Sequence, residues 1–272
     1  MKVTRALWRG LGRDCAPWLT ALLTYAFLFS GQALAEDLRV MISGALFSAY
    51  SELAPAFERE SRNHLITLRG SSMGTKGDAI PVRLQRGEDA DVVIAARGAL
   101  DELAAKGFVR ADSETDLARS VIGMAVRAGA KAPDISTVAA LKNALLQAKS
   151  IAYSDSASGA YISNELFRRL GIAERVAPKA RKIEATPVGE IVAAGKAELG
   201  FQQMSELMAV PGITVVGPLP AEVQRVTVFS AGIATRSRSP DAARALIQAL
   251  SSPEARSVMK TKGLEPASRA AQ

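Results

Sequence analysis

Three short segments rich in serine and glycine each follow an apolar run. They are Ser43-Gly44 after residues 38–42, Gly70-Ser71-Ser72 after residues 65–68, and Ser154-Asp155-Ser156-Ala157-Ser158-Gly159 after residues 151–153. Such a turn leaves backbone N–H groups unpaired where a helix begins, and the helix dipole adds about half a positive charge there. One turn of this kind is ordinary N-capping, for which serine is favoured. Several aimed at one point make an anion site that needs neither metal nor lysine. The candidate ligands for an anion are therefore Ser43, Gly44, Ser71, Ser72, Ser156, Ser158 and Gly159. Arg69 stands beside the second turn, where a guanidinium can grip a carboxylate by two parallel hydrogen bonds. Arg97 has the same position after the third apolar run, and a solvated surface role is the alternative for both. Gln202 and Gln203 offer amide donors to further oxygens, or else cap a strand end.

Groups able to carry a proton are fewer. Asp155 lies in the third turn, Tyr161 follows it, and Glu190 opens the helix after Pro187-Val188-Gly189. Two of them have a plainer alternative: Tyr161 as a packing residue, Glu190 as an acid that suits a helix start. The only histidine, His64, precedes the second apolar run, at the end away from the turns, and reads as a surface residue. One histidine excludes a multi-histidine metal site, and no G-x-S-x-G, H-E-x-x-H or Walker loop is present. The only cysteine is Cys15, so the chain beyond it offers no thiol chemistry and needs no disulfide. Chemistry without metal or cofactor is expected.

The elements that position these residues alternate. Apolar strand runs at residues 38–42, 65–68, 91–95 and 151–153 are followed by helix-spaced segments, the mark of parallel sheets covered on both faces, and residues 199–201 read as another strand. Residues 120–126 and 226–234 read as further strands, and residues 241–250 and 253–260 as closing helices. At the N-terminus, Lys2, Arg5, Arg9 and Arg13 precede an apolar run over residues 18–29 and the triplet Ala33-Leu34-Ala35. That order makes residues 1–35 a secretory signal peptide cleaved after Ala35; a spanning helix needs about 20 apolar residues. The whole chain carries 34 basic and 27 acidic residues, and the leader removes four and one, leaving 30 against 26. A net +4 without a dense run implies no nucleic-acid partner, while it still helps to gather anions.

Taken in order, Ser43-Gly44-Ala45-Leu46, Gly70-Ser71-Ser72, Arg86-Gly87-Glu88-Asp89-Ala90-Asp91-Val92-Val93-Ile94, the turn from Tyr153 to Gly159, and Gly200-Phe201 resemble the periplasmic molybdate-binding protein family. The resemblance covers nearly all of the chain beyond residue 35. It implies an α/β, two-lobed type II periplasmic binding protein fold with parallel-rich sheets and a hinge of crossover strands near residues 122–126 and 228–234. Lobe I would comprise residues 36–122 and 229–272, and lobe II residues 123–228. It also implies a periplasmic monomer that binds a small anion for an inner-membrane ABC importer. Two positions depart from the family's pattern. Its serine after the first strand falls about at Ala45, two residues beyond Ser43, and Gln203 replaces its late tyrosine; Ser71 or Ser72 matches its second-turn serine. The chain is similar as well to the periplasmic aconitate isomerase branch of this fold, and both departures suit a carbon polycarboxylate at least as well as molybdate. That likeness implies a metal-free allylic proton shift, with Glu190, Tyr161 and Asp155 as candidate carriers and Ser71 or Ser72 relaying.

Overall fold

Alternating strand and helix segments fold as expected in a computed structural model that describes residues 36–268; the expected signal peptide lies outside the described residues. In chain order the first part comprises β1 (Asp37–Ile42), α1 (Gly44–Ser61), β2 (His64–Arg69), α2 (Ile80–Gln85), β3 (Val92–Ala96), α3 (Arg97–Ala105) and β4 (Thr115–Ser120). The middle comprises β5 (Ile122–Arg127), α4 (Val138–Gln147), β6 (Ile151–Ser154), α5 (Ala157–Tyr161), a π-turn over Ile162–Leu166, α6 (Phe167–Arg169), α7 (Ala173–Val176), β7 (Ala180–Ile183), α8 (Val188–Ala193), β8 (Leu199–Gln203), α9 (Met204–Met208) and β9 (Ile213–Pro218). The chain closes with β10 (Thr227–Ile233), α10 (Pro240–Leu250), α11 (Pro253–Thr261) and β11 (Glu265–Pro266).

Two sheets result. The first has the order β11-β4-β10-β3-β1-β2 and the second β7-β6-β8-β5-β9. Within the first, β1 runs parallel to β2 and β3, so Ile42, Arg69 and Ile94 come to one edge. Within the second, β6 runs parallel to β7 and β8, which brings Ser154 beside Ile183 and Tyr153 beside Phe201. The serine-bearing turns therefore lie at the carboxyl ends of parallel strands, where open α/β sheets bind ligands.

Each sheet is covered on both faces, which is why its strands read as unbroken apolar runs. Leu38, Val40 and Ile42 pack with Leu46, Tyr50, Leu246 and Met259 on one face of the first sheet. Met41 and Val93 meet Ile80, Leu100 and Leu103 on the other. The second sheet buries Met124, Ile151 and Phe201 against Leu141, Leu166 and Phe167, and Ala152 against Val188 and Val192. Each fully buried large aliphatic side chain contributes roughly 1.5–3 kcal/mol, so both sheets have cores of their own.

The single strand expected over residues 120–126 is two. The chain leaves the first sheet at the end of β4, passes through Val121 and enters the second sheet as β5. The strand β4 escapes a reading by apolar run because Asp116 and Arg119 face outward from it. Likewise β9 alternates only partly buried residues at a sheet edge.

Candidate functional site

A cavity of about 260 Å³ opens where the carboxyl ends of the two sheets face one another, slightly below the size that suits a drug-sized ligand. From the first sheet, Ser43 and Gly44 line it after β1, and Arg69 and Ser71 after β2; from the second, Asp155, Ser156 and Ser158 line it after β6, and Gln203 ends β8. Ser43 is held by its own N–H, which donates to the Ile94 carbonyl at 2.9 Å. It occupies the N-cap position of α1 yet makes no side-chain cap bond, and its buried Oγ has no partner among the described residues. A hydroxyl so placed is free to meet a ligand. Ser158 is tied to Ser154, Oγ to Oγ, at 3.0 Å.

Arg69 sits at the rim, largely exposed, with its guanidinium carbon 4.0 Å above the Phe47 ring. Stacking on an aromatic face holds the planar fork in place without using its donors. The fork therefore stays available to a carboxylate.

Glu206, in the first turn of α9, is the residue that the sequence reading passed over. It lines the cavity, and its Oε1 accepts from Gln202 Nε2 at 2.8 Å. Gln202 is itself fixed, because its Oε1 accepts the Val188 N–H at 2.8 Å. The carboxyl reaches across to the start of α1: a Cβ on Gly44 would lie 2.0 Å from Glu206 Oε1. Any larger residue would push the carboxyl aside, and the acid of one sheet thus rests on the helix terminus of the other. Burial pushes Glu206 up to about 7, against the lowering effect of Gln202, the Gln203 backbone and Arg69. Gln203 donates through Nε2 to Thr227 Oγ1 at 3.1 Å, while its buried Oε1 has no partner among the described residues. The same holds for the buried Oδ2 of Asp155. Burial, and then the neighbouring Asp78, raises its proton affinity.

Other candidates are placed elsewhere. Ser72 is fully buried, points away from the cavity and accepts the Ala96 N–H at 2.9 Å. Replacing it with alanine leaves that donor unpaired, so S72A is expected to lose about 1–3 kcal/mol in urea unfolding while ligand affinity stays unchanged. Gly159 packs rather than binds, since a Cβ would sit 1.6 Å from the Ser154 carbonyl oxygen. Tyr161 takes the packing role: it lies in the core of the second sheet and donates to the Val223 carbonyl at 2.7 Å. Glu190 is exposed in the first turn of α8, where its charge suits the dipole. Arg97 is engaged by Asp101, Glu114 and Asp116. His64 pairs at the surface with Asp37. The structure gathers the hydroxyls of Ser43, Ser71, Ser156 and Ser158, the Arg69 guanidinium, two glutamines and two acids of raised proton affinity about one cavity. Such a set can hold a small polyanion and exchange a proton with it.

The chain matches the model of a family described as bacterial extracellular solute-binding proteins over residues 38–265. It is 48% identical over 229 residues to an aconitate isomerase from a Pseudomonas species, covering 84% of this chain and 87% of that protein. It is 27% identical over 249 residues to the molybdate-binding protein of Azotobacter vinelandii, covering 88% and 93%. Among solved structures, the periplasmic molybdate-binding protein of Azotobacter vinelandii superposes with a TM-score of 0.65 at 18% identity, covering 84% of this chain and 98% of that one. The sulfate-binding protein of Mycobacterium tuberculosis superposes with a TM-score of 0.68 at 17% identity, covering 86% and 88%.

Proposed function

The chain belongs to the bacterial extracellular solute-binding protein family and has the type II periplasmic binding protein fold, and from that premise we propose that its cavity binds aconitate and interconverts the trans and cis isomers. The reaction is an allylic proton shift. A base takes a proton from the methylene next to one carboxylate, the freed electron pair forms a new double bond, and the former double bond accepts a proton at its far carbon. Nothing is oxidised or reduced. Arg69 grips one carboxylate of the substrate. Ser43 and Ser156 serve the others.

Glu206 carries this reading. A carboxyl whose proton is half lost near neutral pH suits general acid–base work, because such a group can both take and return a proton. In a cavity built only to hold an oxyanion the same group is a handicap, since its ionised form repels the ligand. The 48% identity to an aconitate isomerase points the same way.

A second reading is favoured by the family and by the likeness to a molybdate-binding protein. Here the protein is a periplasmic receptor whose lobe I (residues 36–122 and 229–272) and lobe II (residues 123–228) close on a small anion by hinge motion and pass it to an inner-membrane ABC importer. The two readings separate in one assay. Protein beginning at Glu36 is incubated with trans-aconitate and cis-aconitate is followed; the isomerase reading is abandoned if none forms at high enzyme concentration. Thermal shifts with molybdate, tungstate and aconitate run alongside, because a ligand stabilises in proportion to the logarithm of its concentration over Kd. Stabilisation by molybdate or tungstate alone favours the receptor. If Arg69 grips a carboxylate, R69Q weakens aconitate binding by about 10–100-fold, the worth of a charge-assisted hydrogen-bond pair, as measured by calorimetric titration.

A further inference from the structure

The cavity holds a second carboxyl to which the proton shift described above assigns no role. Asp155 lines the same cavity as Glu206, but it approaches from the turn between β6 and α5. It faces the loop that follows β2: a Cβ on Gly74 would lie 3.7 Å from Asp155 Oδ2. Two ammonium groups lie nearby, and both are committed to another acid, with Lys76 at 3.2 Å and Lys182 at 3.4 Å from the Glu184 carboxylate. Among the described residues Asp155 has no ion-pair partner, and its Oδ2 has no hydrogen-bond partner either. A buried acid left in this condition, beside Asp78, holds a proton more readily than an ordinary aspartate.

Glu206 is fixed where Asp155 is free. Its Oε1 is held by Gln202 and pressed against the backbone at Gly44, so the carboxyl cannot swing without losing both contacts. An allylic shift, however, needs proton transfer at two carbons two bonds apart. A pinned carboxyl presents one oxygen to one of them.

We propose, resting on the isomerase reading, that Glu206 and Asp155 are paired proton carriers, each serving one of the two carbons. In one direction the ionised member takes the methylene proton as that C–H bond breaks. Its electron pair becomes the new double bond, and the old double-bond pair takes the proton of the other member. One C–H bond breaks and one forms, one carboxylate becomes a carboxyl and the other the reverse, and charge is conserved. The return reaction runs from the swapped state, and exchange with solvent resets the pair.

The test follows hydrogen. With trans-aconitate doubly deuterated at its methylene, wild-type protein in light water yields cis-aconitate that keeps one deuterium on its new vinyl carbon and carries only light hydrogen in its new methylene, the abstracted deuteron having passed to solvent. In heavy water, D155N and E206Q each lose conversion by about 100-fold or more, yet each still exchanges the methylene hydrogens of one isomer, and the isomer differs between the two variants. Deuterium found in the new methylene of the product means that one carrier moved it between the two carbons, and overturns the pair. So does a D155N protein that converts at the wild-type rate, or a reduction of conversion and exchange together, as a structural defect would give. The label experiment needs no variant, so a folding failure in either one leaves it intact. Wild-type protein that neither exchanges nor converts overturns the isomerase reading itself, an outcome distinct from conversion that carries deuterium into the new methylene.

Discussion

E206Q lowers the turnover of trans-aconitate by about 10²–10⁴-fold, the usual contribution of a positioned acid–base group, while the protein folds and still binds aconitate. Glutamine matches glutamate in size. Its amide oxygen can accept from Gln202 Nε2 as the carboxylate does at 2.8 Å, so the contact against Gly44 is kept. What disappears is the proton. Removing a partly ionised acid from an anion site also removes repulsion, so KM stays level or falls as kcat collapses. That split is the diagnostic, because damage to the binding walls raises KM instead. Steady-state kinetics with a calorimetric Kd measure both. An E206Q protein that turns over within about threefold of wild type would end the acid–base assignment.

The same carboxyl makes stability depend on pH in a direction opposite to that of most paired acids. Its folded-state value stands at about 7 against an ordinary 4.5. Below 4.5 both the folded and unfolded chains carry the proton, and the contribution is fully present. Between the two values the folded protein keeps a proton that the unfolded chain has released, so each rise of one pH unit costs about 1.4 kcal/mol. Above about 7 both forms have lost it, and the slope vanishes. Wild-type protein is therefore expected to lose roughly 3 kcal/mol relative to E206Q between about pH 4.5 and pH 7. Urea unfolding of both proteins across that range measures the difference, which cancels other titrating groups such as Glu88 and Glu184, both lowered by arginine or lysine neighbours. Parallel stability curves for the two proteins would show that burial does not hold the proton.

How far the sequence alone reaches depends on whether a feature is local. The serine turns are local: each follows an apolar strand run, and the rule that ligands gather at strand carboxyl ends brought Ser43, Ser71, Ser156 and Ser158 forward together. Which of two adjacent serines faces inward is not local. Ser71 lines the cavity while Ser72 turns into the protein to accept from Ala96, a choice made by the path of a strand 24 residues away. Tyr161 and Asp155 flank one turn and have opposite fates for the same reason.

Glu206 was hidden by the brevity of its element. A five-residue helix is too short to show a period, and its acid acquires meaning only when α9 meets α1 from the other sheet. A signal did exist. Gln203 ends a strand parallel to β6, so any acid in the next turn falls at the same edge as the serine turn.

The contact between Glu206 and Gly44 has one more consequence. A helix terminus that would otherwise await a visitor's negative end is already occupied by a resident one, and that resident can be neutralised. A guest that is the salt of a strong acid, such as sulfate, has no proton to lend, so it settles beside a charge of its own sign unless solvent first neutralises the carboxyl. A weak acid can donate one on arrival. The cavity thus sorts its visitors by how tightly they keep hydrogen as well as by shape, and a single glutamate is enough to impose that preference.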